Sequence, residues 1–209
     1  MILKAPSMIK RLFCIILSVC FIATVQAQSD TSKKNIQVCI ASDEMKLYQL
    51  IMQYRRQHGL PSIPLSTSLT YVAKVHCLDL QVNRPDLVKG CNLHSWSDKG
   101  NWSPCCYTPD HKKAEYMWSK PSELTNYKND GFEIAFSSFD EPRTDTYKVT
   151  PEMALAGWQS SPGHNNMILN KDIWSDNTWN AIGVCIYKNF SVVWFGMAAD
   201  VETVPVMCK

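Results

Sequence analysis

A change of hydrophobic period along the chain narrows the fold more than any other feature. Between Ser42 and His58, Leu47, Leu50, Ile51 and Tyr54 fall at helical spacing, and Gly59 follows as a stop. A second helix is predicted from about Ser68, with Leu69, Val72, Ala73, His76, Cys77 and Leu80 on one stripe. It ends at Asn83-Arg84-Pro85, because the residue before proline is pushed out of the helical region. "LPSIPL" between the two reads as a loop. Thr150-Pro151-Glu152 reads as a cap, a first-turn proline and a first-turn acid, opening a third helix with Ala154, Leu155 and Trp158 inward. The period then shortens. "AIGVCIY" and "SVVWFGMA" are β-branched and aromatic runs joined by Lys188-Asn189-Phe190, the signature of a hairpin. Helices first and strands last predict an α+β sandwich rather than a doubly wound parallel sheet.

Residues 1–27 read as a secretory signal peptide. Lys4, Lys10 and Arg11 precede an apolar run from Leu12 to Thr24, and Val25-Gln26-Ala27 is a small-residue cleavage site. Cleavage there makes Gln28 the first mature residue and 28–209 a single domain with no transmembrane segment. Anchoring as a lipoprotein through Cys20 is the alternative, although Val19 before it fits poorly. Removing three basic residues and no acidic ones from totals of 21 and 19 leaves 18 and 19, a net charge of −1. No nucleic-acid partner is implied by such a balance.

Seven cysteines follow Ala27: Cys39, Cys77, Cys91, Cys105, Cys106, Cys185 and Cys208. In an exported chain they predict at least two disulfides, with an odd thiol left over. Most bridges are expected among Cys77, Cys91, Cys105 and Cys106, the adjacent pair bonding to different partners. Thiolate metal binding is the rival, but no CxxC pair is present. Residues 95–131, with Trp96, Trp102 and Trp118 among cysteines and prolines, read as an ordered, stapled loop. Its tryptophans are expected in the core rather than on a ligand wall.

"GWQSSPGHNNMILN", 157–170, carries the most pointed histidine. Ser161 suits the cap of a helix starting at Pro162, which puts His164 in the first turn, where the helix dipole disfavours imidazolium. A neutral imidazole ligates metals or accepts protons, and Gly163 leaves room beside it. The bland alternative is a capping turn with an exposed histidine. His76 reads as a core histidine, and His58 and His111 as surface residues. His94, in "CNLHSWSDKG", stands in a loop that is able to hold it. Glu133, in "DGFEIAF", alternates with Phe132 and Ile134. It lies either on a solvated outer face or inward, where it needs a histidine or a metal-bound water as partner.

Taken together, "LYQLIMQYRRQHGLPSIPLSTSLTYVAKVH", "HSWSDKG", "GFEIAF", "GWQSSPGHNNMILN" and "AIGVCIY…VVWFG" follow the block order of the CAP superfamily. That superfamily comprises the cysteine-rich secretory, antigen 5 and pathogenesis-related 1 proteins, or SCP-like domains. The chain resembles its bacterial-type branch over about residues 43–198. The resemblance implies a three-layer α-β-α sandwich with an antiparallel central sheet and a cleft of two histidines and two glutamates. His94 matches the first histidine, Glu133 the first glutamate and His164 the second histidine. Ser161 stands where the second glutamate falls in eukaryotic members, and Phe132 replaces the glycine before the first. The segment between His94 and Glu133 is also longer than usual. A cluster of three residues remains, with His94 and His164 as ligands of zinc or another divalent metal and Glu133 holding a metal-bound water.

These readings imply a secreted or periplasmic, extracellular binding protein acting on a lipid, sterol, fatty acid or cell-wall component. A metal-dependent hydrolase using His94, Glu133 and His164 is the alternative, with Glu133 as its candidate catalytic residue. A serine hydrolase built on Ser160 or Ser161 with His164 is disfavoured, because neighbours at a helix start do not face one another. A disulfide-stabilised adhesion or toxin-like module is the third class. Asn101-Trp102-Ser103 and Asn189-Phe190-Ser191 match the glycosylation acceptor pattern, which matters in a eukaryotic source.

Overall fold

Alternation along three strands sorts the core into two layers. The computed structural model describes residues 36–138 and 148–209, so the leader, Gln28 and Cys20 lie outside the described residues. Strands β2 (Gly131–Ser137), β3 (Ala181–Tyr187) and β4 (Phe190–Gly196) form an antiparallel sheet in the order β2-β4-β3. Ile134, Ile182, Val184, Ile186, Val193 and Phe195 face one cluster. Ala135, Cys185, Val192 and Trp194 face the other. Both faces are covered, so the strands are apolar almost throughout.

Helix α2 (Thr67–Val82) lies against β3 and β4 on the second face. Helices α1 (Ser42–Gln57) and α5 (Pro151–Ser160) pack against each other; α1 meets β3 and α5 meets β2 on the first face. This is the expected α-β-α layering. The helix ends follow their predicted caps: Ser66 Oγ accepts from the Leu69 amide at 3.0 Å, and Thr150 Oγ1 from the Met153 amide at 3.2 Å. Gly183 lets α2 settle on the sheet, since a Cβ there would fall 2.0 Å from the Leu69 carbonyl carbon.

Three expectations change. Strand β2 precedes α5, so helices and strands interleave. The hairpin turn is Lys188-Asn189 alone, with Lys188 at φ 49° and Phe190 already in β4. Part of "LPSIPL" also runs beside β3: the Ile182 amide donates to Pro64 O at 3.0 Å and the Ser66 amide to Ile182 O at 2.8 Å.

Two disulfides occur among the described residues, Cys39–Cys208 and Cys91–Cys106. The first joins β1 (Cys39–Ile40) to the residue after β5 (Val206–Met207), a parallel pair. Contrary to expectation, Cys77 and Cys105 are buried thiols, as is Cys185. Cys77 lies on the sheet-facing stripe of α2. Cys105 exchanges backbone hydrogen bonds with Trp96 and turns inward, while its exposed neighbour Cys106 reaches Cys91. Trp96 is core as expected, but Trp118 is half-buried on the cleft described next. Asn189 is wholly buried, so its acceptor pattern is inaccessible in the folded chain.

Candidate functional site

Glu133 is the hub. Alternation in β2 places it beside Ala135 on the α2 face, and its side chain is wholly buried. Its Oε2 lies 2.5 Å from His76 Nδ1 and its Oε1 lies 2.8 Å from His94 Nδ1. The inward alternative for Glu133 therefore holds, with histidines as the partners. A buried carboxylate without them would be costly.

His76 sits in the core, as its stripe predicts, and is also the main counter-charge of the site. Its Nε2 faces the Ser95 carbonyl at 3.0 Å, so both ring nitrogens meet acceptors, the arrangement of an imidazolium donating twice. The ring stacks on Trp96 at 4.3 Å and 7°. Burial pulls its pKa down, but the Glu133 charge, the hydrogen bond to Glu133 and the Ser95 carbonyl outweigh that and leave it raised. Glu133 mirrors it. Burial pushes the carboxyl up, and the charges and hydrogen bonds of His76 and His94 bring it below its ordinary value.

His94 is placed by a turn. Asn92 Oδ1 accepts from the His94 amide at 3.0 Å, and Ser95 Oγ ties Asn92 and Tyr107 together. With Nδ1 committed to Glu133, Nε2 is the free nitrogen, and the ring stands 6.2 Å, centroid to centroid, from His164.

His164 enters from α6 (Pro162–Ile168). Its pKa is lowered to about 4, by burial first and by the nearby His94 second, with Glu133 pulling the other way. The helix dipole alone predicts a neutral ring; burial is the larger cause. Ser161 holds the N-cap position, but its side chain makes no capping bond and lies outside the cleft lining, which corrects its expected place there. Gly163 does line the cleft, with open space where a Cβ would stand.

The cleft is a concavity of about 400 Å³. Its apolar lining includes Met117, Trp118, Phe132, Met167 and Trp174. Phe132 meets Trp118 at 5.7 Å and Trp174 at 5.1 Å. Tyr107 and His111 complete the polar side; His111 is exposed, as expected, and also lines the cleft.

Among the described residues no group of three His, Cys, Asp or Glu side chains gathers closely enough to hold a metal ion. The expected three-residue set is therefore not assembled, and Glu133, with both oxygens on imidazoles, does not face the cleft as a holder of water. Each of the two cleft imidazoles, His94 and His164, has a ring nitrogen without a hydrogen-bond partner among the described residues, and the Glu133 carboxylate fixes the orientation and tautomer of His94. The sequence reading missed His76, Tyr107 and His111. His76 was visible on the stripe of α2, but nothing in the sequence shows that the stripe covers Glu133.

No protein-family model matches the sequence, and no curated protein matches it. Among solved structures the chain is similar to an outer surface protein from Borrelia burgdorferi. Identity is 20%, the TM-score is 0.47, and the match covers 74% of this chain and 92% of that one. It is also similar to an extracellular protein containing an SCP domain from Bacillus anthracis, at 18% identity and a TM-score of 0.49, over 75% of this chain. The third is a cysteine-rich secretory protein from Staphylococcus aureus, at 13% identity and a TM-score of 0.46, also over 75%. This chain spans 40% and 38% of those last two chains. At TM-scores below 0.5 these likenesses carry no argument. The chain's own layers, a sheet of antiparallel strands between helices, are those the sequence resemblance implies. The fold is an α+β sandwich with helices on both faces of an antiparallel sheet.

Proposed function

We propose that this is a secreted CAP-like binding protein of the cell envelope or its exterior, whose cleft uses His94 and His164 to hold one divalent transition metal, zinc above all. The observation that supports it is the 2.8 Å bond from His94 Nδ1 to the buried Glu133, which leaves Nε2 uncommitted in a ring 6.2 Å from that of the neutral His164. Neutral imidazoles favour zinc, nickel or copper over calcium or magnesium. The metal would supply a Lewis-acidic point for a ligand oxygen. The protein's own part is to orient His94 through Glu133, to hold Glu133 with His76, and to shield the pair from water.

With two protein ligands, affinity is modest compared with four-ligand structural sites. Lipid, sterol and cell-wall molecules are the ligand classes carried by the resemblance. The hydrolase alternative needs a group that activates water. Glu133 is committed to two imidazoles, which favours binding over catalysis. No helix among the described residues is long and apolar enough to cross a membrane.

Titration calorimetry with zinc tests the site. The wild type should bind one ion, His94→Ala/His164→Ala should bind none, and Glu133→Gln should bind about 10- to 100-fold more weakly. Equal binding by the wild type and the double variant would end the metal reading.

A further inference from the structure

The cleft has a second polar arm that the metal reading leaves unused. His111 stands on its rim at φ 56°, a left-handed value uncommon outside glycine. Two backbone bonds hold that turn: the His111 amide donates to Thr108 O at 3.0 Å, and the Ala114 amide to His111 O at 3.1 Å. The ring is oriented as well, since Tyr107 Oη lies 2.8 Å from Nδ1. Tyr107 meets His94 edge-on at 5.2 Å, and its amide is anchored on Ser95 Oγ. It directly follows Cys106 of the loop disulfide, so the arm is built on stapled backbone.

In the tautomer where the Tyr107 O–H donates to Nδ1, His111 presents Nε2–H, which has no partner among the described residues. The cleft offers little to an ammonium-type organic cation, because Glu133 is the one carboxylate among its described lining residues and is already bonded twice. Trp118, Phe132 and Trp174 line the same cleft and form one contiguous aromatic group through Phe132.

The geometry points to His111 as a ligand-binding residue: its Nε2–H and the Trp118–Phe132–Trp174 wall together take a small molecule that joins an acceptor oxygen, a carboxylate or carbonyl, to a flat apolar ring. The proposal rests on the reading that this cleft binds a ligand. It does not require the metal, and His111 is not offered as a third metal ligand.

Benzoate is the probe, followed by calorimetry and by tryptophan fluorescence, with and without zinc. His111→Gly removes the imidazole and accepts the left-handed backbone. It should weaken benzoate about tenfold, the size of a hydrogen bond to a charged acceptor, and leave zinc binding unchanged. Tyr107→Phe, which frees the ring without removing it, should weaken benzoate less. Trp174→Ala should weaken benzoate but not acetate. Benzoate bound equally by wild type and His111→Gly, or not bound at millimolar concentration, overturns the proposal while the zinc result stands by itself. His111-dependent benzoate binding in the His94→Ala/His164→Ala variant supports it even if the metal reading fails.

Discussion

At the scale of single residues, two imidazoles of the site are pushed in opposite directions. His76 is raised and fully buried, whereas His164 is lowered to about 4. The two bear on stability with opposite sign. Between the ordinary value of 6.5 and about 4, the unfolded chain takes up a proton at His164 that the folded chain does not. Stability must therefore fall as pH drops through that window, by at most about 1.4 kcal/mol per pH unit from this residue. The stabilisation from the raised His76 is present below 6.5 and is lost as pH rises through its folded value. That from the lowered Glu133 is present above the ordinary carboxylate range and is lost as pH falls through its depressed value. His164→Gln should therefore flatten the acid side of the profile. Chemical denaturation of the metal-free protein at pH 4.5, 5.5 and 6.5 checks this, and identical slopes for variant and wild type would contradict it.

At the scale of elements, α2 is the piece on which fold and site both depend. One stripe packs on the sheet, and the same stripe carries His76 to Glu133. Gly183→Ala would push a carbon into the backbone of Leu69 and Thr70, which cannot swing aside as a side chain does. The expected loss is about 3 kcal/mol or more, read as a lower urea midpoint. Gly163→Ala, with nothing within 4 Å of the added carbon, should leave the midpoint nearly unchanged. Equal midpoints for the two variants would mean that α2 does not sit so close.

Much at this scale was legible beforehand. The spacing of Leu47, Leu50, Ile51 and Tyr54 marks α1, and Thr150-Pro151 marks the start of α5, because local residues decide both. Alternation also separates Glu133 from Phe132 and Ile134. It does not say what covers each face, since that is set by packing between distant parts of the chain. His76 and Glu133 are 57 residues apart, and no local pattern ties them. Ser161 misled for the opposite reason: it holds the N-cap position that its type prefers, yet its hydroxyl makes no capping bond. Cys105 and Cys106 were alike on paper until the backbone pairing with Trp96 turned one in and the other out.

At the scale of the whole molecule, the two bridges differ in what they enclose. Cys91–Cys106 closes a 15-residue separation, and Cys39–Cys208 one of 169. On chain entropy alone, the first is worth about 3 kcal/mol and the second about 5 kcal/mol. Thermal denaturation of Cys39→Ser/Cys208→Ser should therefore show a larger fall than Cys91→Ser/Cys106→Ser, with the reverse order contradicting the estimate. Zinc and benzoate binding should respond the other way, because the small loop carries His94 and leads into Tyr107.

The wide bridge has a mechanical consequence. Tension applied between residues 39 and 208 is carried by a sulfur–sulfur bond, and the sheet and helices between them bear none of it. An oxidised molecule pulled from those two points should stretch no further than its own handles. A reduced one should pay out on the order of 500 Å of chain as its 169-residue span unravels.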